Sequence, residues 1–261
     1  MNAQSSPWLR RLTDARRERM VVVFPAAGAG AVMFRPWAQA IEAKAELGVV
    51  TPPGREHRIA EPPFRHVDPI ADAVAAELLA LDRRVTLFGH SAGALVALEV
   101  AGRMRDDRID HVIVAASTPP DTAETNYGLM NDAELIAALR AWDGTPSEVL
   151  DDPAMVELFL PGLRADLAVA HSCRTTRAHH PVLDIPITAL VGSTDRFATP
   201  DQAAGWSRFT TAPFALVTVN GGHFFPVINS SEVLAHVVAT FAASKVAPGG
   251  RSRVANDLGP T

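Results

Sequence analysis

Cysteine is almost missing from this chain of 261 residues: Cys173 is the only one. No disulfide can therefore close within the chain, and a reducing cytoplasm is the expected location. Lysine is nearly as scarce, occurring only at Lys44 and Lys245 among 24 basic residues. The cationic surface is thus almost wholly arginine, which suits two-pronged anion contacts better than point charges. Basic excess is lacking as well, since 29 acidic residues give a formal charge of -5 and the isoelectric point lies near 6.0. Nothing here gathers counterions around a polyanion, so no nucleic-acid partner is expected. No apolar run of about 18 residues occurs without a polar break, so no membrane span is expected on length. Arg10, Arg11, Arg16, Arg17 and Arg19 ahead of the apolar stretch from Met20 to Phe34 imitate a secretory leader. Pro25, Gly28 and Gly30 interrupt that stretch and count against the reading.

What is present is core material: 48% of residues are hydrophobic and 20% charged, too apolar a mixture for a disordered chain. At about 150 residues per domain the length gives fewer than two domains, and α/β folds run to about 250 residues as one unit. A single domain over residues 1–246 is expected, with an insertion at about 119–184. The segment 247–261 bears Gly, Pro and Arg without apolar periodicity and reads as a disordered tail.

Apolar runs rich in β-branched residues recur at Met20 to Phe24, Leu47 to Thr51, Arg84 to Phe88, His111 to Ala116, Ile185 to Gly192 and Phe214 to Val219. These predict six strands. Segments of helical period lie between most of them, such as Ile70, Val74, Leu78 and Leu81, and this alternation requires parallel strands with helical crossovers. The strand runs are continuous because both sheet faces are covered. The expected fold is α/β, a mostly parallel doubly wound sheet. The alternation fails once, between Pro119 and Pro186, where helices are predicted at Asp132 to Trp142 and Pro153 to Ala170. That insertion reads as a helical lid over the carboxyl edge of the sheet, where ligands bind in open α/β folds, with simple packing of its apolar residues as the alternative.

The strand Val85 to Phe88 runs into Gly89-His90-Ser91-Ala92-Gly93 and then a helix, which is the G-x-S-x-G pattern in its required strand-turn-helix context. A serine on so sharp a turn needs small neighbours, because flanking Cβ atoms would strike sheet and helix. Ser91 is the candidate nucleophile. Its hydroxyl is weak until a base takes the proton, so a histidine held by a carboxylate is required, in the chain order serine, acid, histidine. His223 follows the last predicted strand in Asn220-Gly221-Gly222-His223, where two glycines let the loop turn back, and it is the candidate base. His90, inside the elbow, is expected to point away, and the other seven histidines lack a strand-end placement. For the acid, Asp195 stands just beyond Gly192 and 28 residues before His223; Asp121 is the alternative, and Asp201 reads as a helix-start residue.

A tetrahedral oxyanion needs two main-chain N–H donors. Ala92, next to the nucleophile, supplies one. Phe24-Pro25-Ala26-Ala27-Gly28-Ala29-Gly30 leaves the first predicted strand with small side chains, and the Ala27 amide is the candidate for the second; Pro25 has no N–H. A dinucleotide-binding turn would need glycine where Met33 stands. No histidine pair has metal-ligand spacing near the predicted edge. Neither a metal nor another cofactor is expected.

Taken together, the Phe24-Pro25 loop, Pro53-Gly54-Arg55-Glu56 followed by Arg58 and Glu61, the Gly89 to Gly93 elbow, Leu163-Arg164-Ala165-Asp166, Asp195 and Gly221-Gly222-His223-Phe224-Phe225 form a specific combination. With them the chain resembles the type II thioesterases of polyketide and nonribosomal peptide synthesis, a branch of the α/β-hydrolase superfamily, over roughly Val21 to Phe241. The resemblance implies hydrolysis of acyl groups from the phosphopantetheine arm of acyl or peptidyl carrier proteins, an editing role in such pathways. It implies an acyl-enzyme on Ser91 and a carrier protein as partner; the sequence does not fix the oligomeric state, for which a monomer is favoured. Two positions depart from the family pattern, with Ala26 where histidine is common and Ala29 where a second glycine is common; neither removes a backbone donor. Arg164, Arg174 and Arg177 are candidate docking residues for an acidic carrier, with a solvated helix face as the alternative, and Arg55 and Glu56 are expected in a salt-bridged loop. The same chemistry would serve a serine carboxylesterase on free small esters, and the same fold a noncatalytic binding module.

Overall fold

The computed structural model describes residues 8–104, 107–123, 125–142, 144–175 and 180–243. The predicted tail at 247–261, like Arg177 and His179, lies outside the described residues. Along the chain come β1 (Leu9–Arg11), β2 (Arg19–Phe24), α1 (Arg35–Ile41), β3 (Glu46–Val50), α2 (Val67–Leu79), β4 (Arg84–His90), α3 (Ala92–Arg103) and β5 (Ile109–Ala115). Then follow α4 (Asp132–Trp142), α5 (Ser147–Asp151), α6 (Pro153–Thr175), β6 (Ile187–Gly192), α7 (Pro200–Ala203), β7 (Phe214–Val219), α8 (Phe225–Ile228) and α9 (Ser230–Ala243).

All seven strands form one sheet in the order β1-β3-β2-β4-β5-β6-β7. Six are parallel and correspond to the six predicted apolar runs. The seventh, β1, was not expected: it runs antiparallel on the edge beside β3, pairing Leu9 with Val50. Its arginines are edge-strand side chains, Arg10 bonded to Glu56 at 2.7 Å and Arg11 to Glu46 at 3.1 Å.

Successive strand residues point to opposite faces, and both faces are buried. Met20, Val22 and Phe24 of β2 join a core with α2 and α3, including Ile70, Val74 and Leu98. Val21 and Val23 join the opposite core with Phe34, Trp37, Ile41, Val233 and Val237. A strand apolar at every position is the outcome of two covered faces.

Among the described residues between β5 and β6 there are three α-helices rather than the two predicted, with α5 the addition, besides a short 3-10 turn at Tyr127–Leu129. Leu135, Leu139, Leu150, Leu160 and Leu163 make a separate small core among them. The long α6 serves two layers. Its first half contributes Leu160 and Leu163 to that small core, while Val169 and Cys173 from its second half enter the main core. The second half thus packs on the sheet as the helical connection between β5 and β6. Among the described residues no helix is long and apolar enough to cross a membrane.

Candidate active site

The loops after β2, β4, β5, β6 and β7 emerge side by side at the carboxyl edge of the sheet, because these five strands are parallel neighbours. Ser91 sits between β4 and α3 with φ +53 and ψ -120. That left-handed backbone costs about 1–3 kcal/mol for a residue with a side chain. Packing holds it there: the Ser91 N–H donates to the Ala115 carbonyl at 2.8 Å. The flanking glycines are steric necessities, since a Cβ on Gly93 would lie 2.1 Å from the Phe24 carbonyl oxygen and one on Gly89 2.3 Å from Ala94 Cα.

Asp195 and His223 arrive on loops that are bonded to each other. Ser193 N–H donates to Val219 at 2.8 Å, and Thr194 N–H to Gly221 at 3.0 Å. Gly221 makes that crossing with φ +119. The result is a continuous chain of hydrogen bonds. His223 Nδ1 lies 2.9 Å from Asp195 Oδ2, and His223 Nε2 lies 3.0 Å from the Ser91 hydroxyl. Phe197 and Phe224 stand edge-on to the imidazole, each 5.6 Å away between ring centres.

Asp195 is buried. Burial works to raise its pKa, but the bond from His223, its charge, and the amides of Phe197 and Ala198 together hold the carboxyl below its ordinary range. It is a carboxylate at neutral pH and accepts the Nδ1 proton, which leaves the Nε2 lone pair free to accept from Ser91.

His90 contributes where sequence reasoning assigned it nothing. Its ring is buried, and burial, with the nearby His223, lowers its pKa to about 3. The neutral ring donates Nε2–H to the His223 carbonyl at 2.9 Å. It does point away from the cavity, as expected, and there it ties down the backbone of the loop carrying the imidazole.

Ser91 and His223 open into a cavity of about 90 Å³ that Ala27 and Ala92 also line. Among the described residues neither the Ala27 nor the Ala92 amide donates to a protein acceptor. The cavity wall further includes Tyr127, His171 and Arg174, none of which the sequence singled out as lining residues. His171 lies on α6 and faces the site only because that helix crosses over the sheet edge. Beyond Ala27, Trp142 and Phe224 lies an adjoining cavity of about 250 Å³, lined by apolar groups such as Met33, Leu139 and Leu163.

Other expected residues lie elsewhere. Asp121 pairs with Arg208 at 2.6 Å on the surface and has no bond to His223. Asp201 stands in the first turn of α7. Arg164 is engaged by the Gly128 and Met130 carbonyls and by Asp132, and Arg174 by the Pro119 and Thr122 carbonyls and the Thr118 hydroxyl. Arg164 thus ties α6 to the start of α4, and Arg174 ties the second half of α6 to the loop after β5. Among the described residues no three His, Cys, Asp or Glu side chains gather as a metal site.

Comparison with known proteins bears on what this geometry is for. The family profile described as "Thioesterase domain" matches residues 19–241. The gramicidin S biosynthesis protein GrsT of Aneurinibacillus migulanus is 34% identical over 240 residues, covering 89% of this chain and 93% of that protein. The AMB antimetabolite synthetase AmbE of Pseudomonas aeruginosa is 36% identical over 234 residues, covering 87% of this chain; the chain spans 11% of the length of that synthetase. The solved structure of the type II thioesterase BorB from the borrelidin biosynthetic cluster superposes with a TM-score of 0.81 at 33% identity, covering 92% of this chain and 99% of that one.

Proposed function

The chain belongs to the thioesterase-domain family, as a type II thioesterase of the α/β-hydrolase fold and the polyketide and nonribosomal peptide pathway type, and from that premise we propose that it removes acyl groups from the phosphopantetheine arm of acyl or peptidyl carrier proteins by a Ser91, His223 and Asp195 mechanism. The observation that carries the reading is the pair of hydrogen bonds running from Asp195 through His223 to Ser91, beside two unengaged amides.

Ser91 Oγ attacks the thioester carbonyl while His223 Nε2 takes its proton. The carbonyl oxygen becomes an oxyanion, held by the Ala27 and Ala92 amides. The C–S bond then breaks and the thiolate receives the proton from His223; a thiol with pKa about 8.5 is a good leaving group. Water attacks the acyl-Ser91 ester with His223 again as base, the acid is released, and Ser91 regains its proton. Asp195 stabilises the imidazolium in both halves. The apolar cavity beyond Ala27 takes the acyl chain, and the polar wall with Tyr127, His171 and Arg174 faces the arm. The setting is the cytoplasm, and the biological role is clearing misprimed or stalled chains from a synthase.

The experiment is a mass-spectrometric survey of acylated carrier proteins treated with the enzyme and with Ser91→Ala, alongside an oxygen ester of equal chain length. Loss of the acyl group from carrier protein, abolished in Ser91→Ala, is expected. Faster turnover of the free oxygen ester with carrier-bound acyl groups untouched would instead make the protein a carboxylesterase, and no Ser91-dependent turnover of either would leave a binding module.

A further inference from the structure

Three segments far apart in sequence meet on the outer side of the loop that carries Ala27. Arg55 lies beyond β3, Asp166 lies on α6, and their side chains are ion-paired through Nη2 and Oδ1. Each then uses its other arm on the same short stretch of backbone. Arg55 Nη1 donates to the Ala29 carbonyl at 2.8 Å. Asp166 Oδ2 accepts from the Gly28 N–H, also at 2.8 Å. The two side chains are 14% and 16% exposed, so the pair is largely shielded from solvent screening.

The far end of the loop is held by Glu56, the residue after Arg55. Glu56 Oε1 accepts from the Val32 N–H at 3.2 Å, and Oε2 accepts from Arg10 at 2.7 Å. Gly30 fits so closely against this carboxylate that a Cβ there would lie 2.4 Å from Oε1.

These charges do not face the chemistry. Neither Arg55 nor Asp166 lines the cavity that holds Ser91 and His223; both line a smaller cleft behind the loop. Ala27 lies between the two cavities. The loop 26–30 consists of alanine and glycine only, so it has little side-chain packing of its own to fix where its amides point, and Gly28 adopts φ +75. A donor serves an oxyanion only when it is already in place, about 2.7–3.1 Å from where the charge develops. The peptide that carries the Ala27 N–H is tied through its own carbonyl, Ala26 C=O, which accepts from the Ala29 N–H at 3.0 Å; the clamp on Gly28 and Ala29 holds the two residues that close this turn, and through them the plane of that peptide.

We propose that Arg55 and Asp166 are positioning residues for the Ala27 amide, forming a clamp that makes the oxyanion donor depend on the seating of α6. The first half of α6 belongs to the small core of the inserted helices, through Leu160 and Leu163. A shift of those helices therefore pulls on Asp166 and releases Gly28. Hydrolysis is then fast only when the inserted helices are closed over the site, which couples bound acyl group to turnover. This inference rests on the reading that Ala27 holds the oxyanion.

The test compares Asp166→Asn, Arg55→Gln, Arg55→Lys and the double variant Arg55→Gln/Asp166→Asn in the full chain. Three quantities are measured per active site titrated with a phosphonate: kcat and KM on an acyl thioester, Ki of a trifluoromethyl ketone analogue that adds to Ser91, and Kd of an unreactive thioether analogue. Loss of a whole oxyanion donor costs about 10²–10³-fold in kcat, so a misplaced one is expected to cost about 10–100-fold. KM and the thioether Kd should stay within about 3-fold, and the trifluoromethyl ketone Ki should rise in step with the loss of kcat/KM, as for any interaction made only in the transition state. Arg55→Lys should recover part of the loss. The double variant should be no worse than the worse single, since both act through one clamp. A merely structural pair would lower melting temperature and titratable fraction while kcat and Ki per site stay at wild type, and that result overturns the proposal. The nearly isosteric Asp166→Asn carries the test if Arg55→Gln does not fold. Residual turnover in Ser91→Ala would defeat the functional reading itself; a dead Ser91→Ala beside wild-type clamp variants defeats this inference alone.

Discussion

Replacing Asp195 by asparagine isolates the role of one proton. Asp195 Oδ1 accepts from the Phe197 amide at 2.8 Å and the Ala198 amide at 3.3 Å, while Oδ2 faces His223 Nδ1 at 2.9 Å. In Asp195→Asn the two backbone donors keep the amide oxygen on their side, because an NH2 group there would oppose two N–H groups. The NH2 group is thus forced toward Nδ1. A donor at that point makes Nδ1 an acceptor and moves the ring proton to Nε2, where it faces the Ser91 hydroxyl and cannot take a proton from it. A wrong tautomer with intact geometry costs about 10⁴-fold in kcat, or about 5.4 kcal/mol at 1.36 kcal/mol per tenfold. The side chain keeps its shape, so the fold should survive with a loss of about 1–3 kcal/mol for the charged hydrogen bond. Asp121→Asn is the control. Its pair with Arg208 is 40% and 58% exposed, worth about 0–1 kcal/mol, and kcat should not change. Thiol release from an acyl thioester gives the rates, and circular dichroism melting checks that the variants are folded. A larger loss in Asp121→Asn, or less than a tenfold loss in Asp195→Asn, would refute the reasoning.

Gly93→Ala puts a methyl group 2.1 Å from the Phe24 carbonyl. Backbone cannot yield there without moving the loop that bears Ala27, so a destabilisation of about 1–3 kcal/mol is expected, seen as a melting temperature lower by several degrees together with reduced turnover; a wild-type melt would show that the elbow has slack. His111 is buried against Thr188, and burial, aided by the positive charge of Arg19, lowers its pKa to about 4. The unfolded chain, with pKa about 6.5, binds that proton between pH 6.5 and 4 while the folded chain does not. Stability therefore falls as pH falls through this window, by up to about 1.4 kcal/mol per pH unit from this group. His111→Gln keeps a partner for Thr188 and removes the proton, so urea denaturation at pH 7, 6 and 5 should show a shallower acid slope than wild type; an unchanged slope contradicts the assignment.

What was readable from the chain alone were the features that a short stretch of residues encodes by itself. Continuous apolar runs marked the six parallel strands, because burial on both faces leaves no place for polar residues, and the glycines around Ser91 and His223 marked sharp turns at strand ends. Once strand order is parallel, residues at those ends are brought to one edge, and Ser91, Asp195, His223, Ala27 and Ala92 were found there on that basis. Other features left no local trace. β1 is three residues long with two arginines, and only its pairing with β3 makes it a strand. His171 faces the cavity and α6 divides between two cores because of where the helix crosses the sheet. Arg55 and Asp166 are 111 residues apart, and neither periodicity nor spacing links them. Their meeting was decided by the path of the chain through the sheet, since an ion pair has no sequence period and is specified only when two elements are packed together.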